Sequence, residues 1–370
     1  MQLSETIKLY PTKYQKALIE QTMEEYINTV NSLVALAVNG ISISKYTTAD
    51  VSCSLPSALT NQCIRDARSI VKKHYKSCHA TVLKNRSGSF KATAPKIPIL
   101  KKPCCYINKQ NFKIDDNCIS FPVLIEGKSK RLSVKSSLTE RQVCLLAQAR
   151  LGTARIVYKN KKLCIQIVYD VADIIPSYEG NVMGVDLGIK CPAVSYASDG
   201  SVKFYGNGRK NKYMRRHYAY LRRKLQKAKK PEAVKRINDK EQRIMRDIDH
   251  KLSHDIVETA VAHNVKIIKL EQLSNVRSTT RTSRKNNHSL HTWSFYRLAQ
   301  FIEYKAHKAG ISVEYVNPAY TSQRCPVCGS VHHANDRNYD CECGFHVHRD
   351  LLGAMNICNS TEFVGNRQTA

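Results

Sequence analysis

In its last third the chain carries Cys325-Pro326-Val327-Cys328-Gly329 and then Cys341-Glu342-Cys343-Gly344. No other feature constrains its folding as tightly. Two sulfurs from one tight turn reach a single tetrahedral ion. A second pair closes the shell, which makes a structural zinc site rather than a catalytic one. Twelve residues separate the knuckles, enough for a short hairpin. The second knuckle is C-x-C, one residue short of the usual pair, so His346 or His348 stands as an alternative to one of its cysteines. Directly beyond it, His348-Arg349-Asp350 opens an apolar helical stretch, Leu351 to Ile357. His-Arg-Asp also begins a kinase catalytic loop, but no Gly-rich loop or Asp-Phe-Gly accompanies it, so that reading fails.

The 370 residues suffice for two or three domains, each with a core. Lys and Arg exceed Asp and Glu by 59 − 30 = 29. An excess of that size points to a polyanionic partner, nucleic acid first. The basic stretches lack the wide apolar face that an anionic membrane surface requires. No apolar run is long enough to span a bilayer. Met1 to Tyr10 alternates apolar and polar residues, unlike a signal peptide. The other ten cysteines are scattered without paired spacing, as free thiols are, and the expected compartment is the reducing cytoplasm.

Along the chain, Met1 to Tyr10 reads as a strand. Leu18, Ile19, Met23, Tyr26, Ile27, Val30, Leu33 and Val34 keep helical spacing across 13–38, and a second amphipathic helix spans 57–83. After residue 89, prolines and short alternating runs take over. The clearest is Leu163 to Val171, with a strict period of two, and the set suggests a small β-barrel. A third region opens with Val182-Met183-Gly184-Val185-Asp186, a buried-strand pattern. It continues with a hairpin around Ser198-Asp199-Gly200, basic helices at 210–229 and 232–263 split by Pro231, and the strand Val265–Glu271. A polar loop at 274–289, a helix at 293–309, the strand 311–316, the cysteine module and the last helix complete the order.

Strand, hairpin, helices, strand, helix, strand, helix is the order of a ribonuclease-H-like α/β fold. In such folds, acids from the first strand, from the end of a later strand and from the start of the last helix converge. Asp186, Glu271 and Asp350 hold those places. Phosphodiester hydrolysis needs such a cluster, because two divalent ions about 4 Å apart activate water and stabilise the leaving oxygen. Hard oxygen ligands suit Mg²⁺ or Mn²⁺. Singly, each acid also fits a structural place, Asp350 as a helix cap among them.

Gly184-Val185-Asp186-Leu187-Gly188, Lys269-Leu270-Glu271-Gln272-Leu273, and Asn317-Pro318 through Thr321-Ser322-Gln323 into the first knuckle make one ordered set. Cys343-Gly344 through Arg349-Asp350 to Gly353-Ala354-Met355-Asn356-Ile357 completes it. With these segments the chain resembles the TnpB (OrfB) family of insertion-sequence proteins, related to compact type V CRISPR effectors. The resemblance covers about the C-terminal half. It implies an RNA-guided, metal-dependent DNA endonuclease of a transposable element with one RuvC-like site. Asp186, Glu271 and Asp350 would be its catalytic acids and magnesium ligands, and Cys325, Cys328, Cys341 and Cys343 its zinc ligands. The implied layout is a wedge-like β-barrel at 1–11 and 89–175 carrying an inserted helical recognition domain at 12–88. A RuvC (ribonuclease-H-like) nuclease domain follows at 176–317 and 347–370, with an inserted zinc ribbon at 318–346. Partners would be a guide RNA from the element's own end and a double-stranded DNA target, with the protein a monomer in the cytoplasm, at the nucleoid of a prokaryotic cell. Departures are the C-x-C knuckle and Arg349, where a small residue often precedes the last acid. The alternatives are a transposase or guide-independent nuclease on the same fold, and a non-cleaving RNA-guided repressor.

The basic residues most suited to nucleic-acid backbone are Arg215, Arg216, Arg222, Arg223 and Lys224 in the helix 210–229, and Arg277, Arg281 and Arg284 in the loop just past Glu271.

Overall fold

The computed structural model describes all residues except 1, 87–92, 116, 160, 172–178, 274–291, 335–336 and 366–370. The chain divides into two compact units, Met1–Ala172 and Asp173–Ala370.

In the first unit, strand β1 (Gln2–Tyr10) leads into helices α1 (Lys13–Val38) and α2 (Ser57–Arg86). Strands β2 (Cys104–Ile107), β3 (Lys113–Asp115), β4 (Cys118–Ile125) and β5 (Lys128–Ser136) follow. Helix α3 (Glu140–Gln148) then leads to β6 (Arg150–Lys159) and β7 (Lys162–Asp170). The strands form one antiparallel sheet in the order β2-β6-β7-β1-β5-β4-β3. Among the described residues no pairing joins β2 to β3, the two ends of that order.

Alternation in β1 buries Ile7 and Leu9 and leaves Gln2, Ser4 and Tyr10 exposed. Thr12 caps α1: its hydroxyl accepts from Gln15 N while Gln15 Oε1 accepts from Thr12 N. The helical apolar stripe from Ile19 to Val34 packs with Leu59, Cys63, Ile64 and Ala67 of α2 and with Phe121, Ile165 and Ile167 of the sheet. Each such side chain contributes about 1.5–3 kcal/mol when fully buried. Two polar contacts fix the helix on the strands. Leu124 N donates to Thr22 Oγ1 at 3.0 Å. Asn31 exchanges two hydrogen bonds with the backbone of Leu100, which anchors the proline-broken segment before β2.

In the second unit, β8 (Asn181–Asp186), β9 (Ala193–Ala197) and β10 (Val202–Tyr205) run antiparallel. Helices α4 (Gly208–Lys227) and α5 (Pro231–Ala262) follow, then β11 (Val265–Glu271), α6 (Phe295–Lys308) and β12 (Ser312–Val316). A small hairpin, β13 (Asn338–Asp340) with β14 (His346–His348), precedes α7 (Arg349–Asn359) and a last strand, β15 (Phe363–Gly365). The sheet order is β10-β9-β8-β11-β12-β15, with β8, β11 and β12 parallel. Along the chain, the elements from β8 to α7 follow the order read from the sequence.

Parallel strands covered on both faces need near-continuous apolar runs, and Met183, Val185, Ile268 and Leu270 are all buried. Helix α7 lies directly on β8. A Cβ at Gly184 would stand 2.2 Å from Ala354 O and 2.3 Å from Cys358 N, so only glycine permits this approach. Among the described residues no helix is long and apolar enough to cross a membrane.

Candidate active site and zinc ribbon

Asp186 is the last residue of β8 and Glu271 the last of β11. The two strands are parallel neighbours with Val185 opposite Leu270, so the acids emerge side by side at the carboxyl edge of the sheet. Asp350 enters from the first turn of α7, whose N-cap is His348: its Nδ1 accepts from Asp350 N at 3.2 Å. The close seat of α7 on Gly184 sets how far that turn reaches. One turn along, a Cβ on Gly353 would lie 3.3 Å from Asp186 Cγ, which places the helix against the first carboxylate.

The other two acids act on Asp186. Burial pushes the Asp186 carboxyl well above the ordinary carboxylate range, and the charges of Glu271 and Asp350 push it further; Arg349 and Arg337 oppose the shift. Burial also raises Glu271, and a hydrogen bond from the Thr321 hydroxyl holds it back. A half-buried set of mutually repelling carboxylates is a receptor for cationic charge. One cation is supplied by the protein itself, since Arg337 donates from Nη1 to Asp350 Oδ2. Thr321 belongs to a quoted motif but its contact with Glu271 is not legible there, and no motif includes Arg337. The only sequence signal for Arg337 is its place one residue before the strand that leads to the second knuckle.

The ribbon explains how Arg337 gets there. Cys325 and Cys343 sulfurs lie 3.7 Å apart, and those of Cys328 and Cys341 3.4 Å apart. All four sulfurs fall within 4.8 Å of one another. Tetrahedral zinc at about 2.3 Å from each sulfur sets sulfurs about 3.8 Å apart, so the four thiols fit the ion. Among the described residues they are the only three or more His, Cys, Asp or Glu ligand atoms drawn so close. The short second knuckle therefore still delivers both sulfurs. His346 instead pairs with Asp340, and His348 caps α7. Gly329 and Gly344 follow the knuckles at φ +76° and +88°, the left-handed turn that each pair needs.

Across the hairpin, Asn338 pairs with His348, and Arg349 N donates to Arg337 O at 2.7 Å. The arginine and the acid are thus held side by side by the backbone. Tyr339 and Leu352 close a small core around Cys325 and Cys341. From α7, the Asn356 amide donates to Thr321 O and Arg324 O, binding the foot of the ribbon to the helix.

Of the basic residues singled out in sequence, Arg215, Arg216, Arg223 and Lys224 lie on α4. Arg222 turns inward to Glu241 of α5 at 2.6 Å and is part of the packing between the two helices. Arg277, Arg281 and Arg284 lie outside the described residues.

Two family models match the chain. One is described as "Cas12f1-like, TNB domain" and covers residues 295–357; the other, OrfB_IS605, is described as "Probable transposase" and covers 166–277. TnpB-like proteins and Cas12f1 are relatives of this chain. The TnpB-like protein MJ0751 of Methanocaldococcus jannaschii is 36% identical over 166 residues, 42% of this chain and 59% of that protein. The CRISPR-associated endodeoxyribonuclease Cas12f1 of Sulfoacidibacillus thermotolerans is 25% identical over 260 residues, 65% of this chain and 58% of the relative. That of Syntrophomonas palmitatica is 25% identical over 345 residues, 82% and 65%. The chain thus spans less than two thirds of the length of each of these three. In fold, a Cas12f1 solved in complex with sgRNA and target DNA superposes at a TM-score of 0.65, with 16% identity, over 92% of this chain and 81% of that one.

Proposed function

We propose that this chain is an RNA-guided DNA endonuclease of a transposable element, hydrolysing phosphodiester bonds at one RuvC-like site formed by Asp186, Glu271 and Asp350. The observation that carries the reading is the convergence of these three acids from β8, β11 and α7 at one sheet edge, close enough for two of them to raise the proton affinity of the third. Relatives described as endodeoxyribonucleases and TnpB-like proteins support it.

The donor set is all hard oxygen, which fits Mg²⁺ or Mn²⁺ held by the three carboxylates. Such ions, when bound, supply an activated water and charge stabilisation at the leaving oxygen. The protein's own residues do the rest. Thr321 orients Glu271 by donating a hydrogen bond to one of its carboxylate oxygens. Arg337 steadies Asp350 and adds positive charge beside the place where a scissile phosphate would sit. The zinc ribbon at 318–346 is structural support for both.

In this reading the layout is a wedge-like barrel at 1–11 and 89–175, a helical recognition domain at 12–88, and the nuclease domain at 176–317 and 347–370. Guide pairing reads the sequence, and the +29 charge serves the phosphates of guide and target.

The test is cleavage by the purified chain with its copurifying RNA, and by Asp186→Ala. The variant should bind RNA and matching duplex as the wild type does and fail to cut. Cutting at the wild-type rate by Asp186→Ala would refute the site. Full activity after removal of all RNA would refute the guide.

A further inference from the structure

We propose that a cavity between α4, α5 and the start of α6 holds an unpaired nucleotide of a single-stranded nucleic acid, with its base against Trp293 and its phosphates on α4. The proposal deepens the nuclease reading and rests on it only for which strand is held.

The cavity measures about 310 Å³, in the range of small-ligand sites. Its lining has two characters. Pro192, Ala219, Met245, Trp293 and Leu298 supply apolar surface, while Lys212, Arg215, Arg216 and Arg223 supply four cations. Arg215 is half-buried and feels the charges of Glu241 and Asp249, while Lys212, Arg216 and Arg223 form no ion pair among the described residues. Asp249, the acid of the lining, is only 3% exposed and is already held by Arg297 at 2.6 Å. Helix α6 begins at the cavity with no side-chain cap on Ser294 and no acid in its first turn, so its dipole adds to the positive potential.

A ligand with a flat apolar face and repeated negative charge satisfies both characters, and a nucleotide has both. A base within a duplex hides its faces in the stack. An unpaired base exposes them to an aromatic side chain.

The position matters as much as the chemistry. Gly188 and Ile189, two and three residues beyond Asp186, line the same cavity. The start of α4 is pinned there: Gly208 N donates to Lys190 O at 3.1 Å, and a Cβ on Gly208 would stand 2.1 Å from Ile189 O. These contacts tie the cavity to the segment that leaves Asp186.

Trp293 is the single tryptophan of the chain, which makes the test direct. Intrinsic fluorescence of the full chain is titrated with oligothymidylate, oligouridylate and an abasic oligodeoxynucleotide of equal length, with binding followed independently by anisotropy. The base-bearing oligomers should quench Trp293, and the abasic one should bind without quenching. Ala219→Phe, which fills the cavity and leaves its charges, should weaken the quenching titration about tenfold. Quenching by oligouridylate alone would mark a guide site and by oligothymidylate alone a DNA site, and either supports the pocket. Equal quenching by the abasic oligomer, or binding of all three with none, would overturn it. The wild-type comparison stands even if Ala219→Phe misfolds. Guided cleavage does not enter the readout, so failure of the pocket and failure of the nuclease reading are told apart.

Discussion

Gly184→Ala puts one methyl group between β8 and α7, where the packing leaves it no room. The new Cβ would lie 2.2 Å from Ala354 O and 2.3 Å from Cys358 N, both backbone atoms that no rotamer change can move. Restoring even 3.0 Å requires α7 to retreat from the sheet by about 0.8 Å at that point. Overpacking of this kind costs about 1–3 kcal/mol. The helix carries Asp350, so the same retreat separates the third acid from Asp186. A displacement near 1 Å at a reacting centre costs about 10²-fold in rate. The urea midpoint should therefore fall by an amount matching about 1–3 kcal/mol, and single-turnover cleavage should slow about a hundredfold. Zinc content should stay at the wild-type level, because the ligands lie on the ribbon. Wild-type stability together with wild-type cleavage would refute the claim that the seat of α7 on Gly184 sets the acid geometry.

Three other outcomes follow from contacts elsewhere in the chain. Asp186 has a raised proton affinity in the folded, metal-free chain. Its contribution to stability is therefore full below the ordinary carboxylate range and lost as pH climbs through the raised value. Asp186→Asn should flatten that decline in urea melts without divalent metal, and parallel curves for the two proteins would contradict it. Cys325→Ser should release zinc, measured by atomic absorption, and loosen the buried Tyr339 and Leu352; an unchanged metal content would remove Cys325 from the ligand set. Arg222→Ala should cost about 1 kcal/mol of stability through loss of its half-buried pair with Glu241, and should change oligonucleotide affinity less than Arg216→Ala does; the reverse order would return Arg222 to the binding surface.

Much of the nuclease-like unit could be read without coordinates, for physical reasons. Val182–Val185 is a continuous apolar run, and Val265–Glu271 keeps four apolar residues around Lys266 and Lys269, so both strands are legible together with the acids that end them. The helix from Lys13 to Val38 was equally plain, because one face of it is apolar over its whole length. Helix α3 was not: it is short and buries only Leu146, too little to register as periodicity. Strand β2 was hidden by the prolines before it. Arg337 and Thr321 escaped because their roles depend on side chains meeting across the chain. The inward turn of Arg222 was illegible too, since a run of arginines says nothing of which one faces the neighbouring helix.

The hairpin that ends at His348 runs without a break into the helix bearing Asp350, and Asn356 ties that helix back to the ribbon's foot. Under the proposed function, a chelator would therefore act on this chain in two places that one activity assay cannot separate. Stripping the ribbon's metal would free Arg337 and the first turn of α7, and the loss of cutting would resemble loss of the ions at the acids. Magnesium would then fail to rescue what zinc had held. Order of addition after chelation, zinc before magnesium or the reverse, is thus a readable property of this architecture.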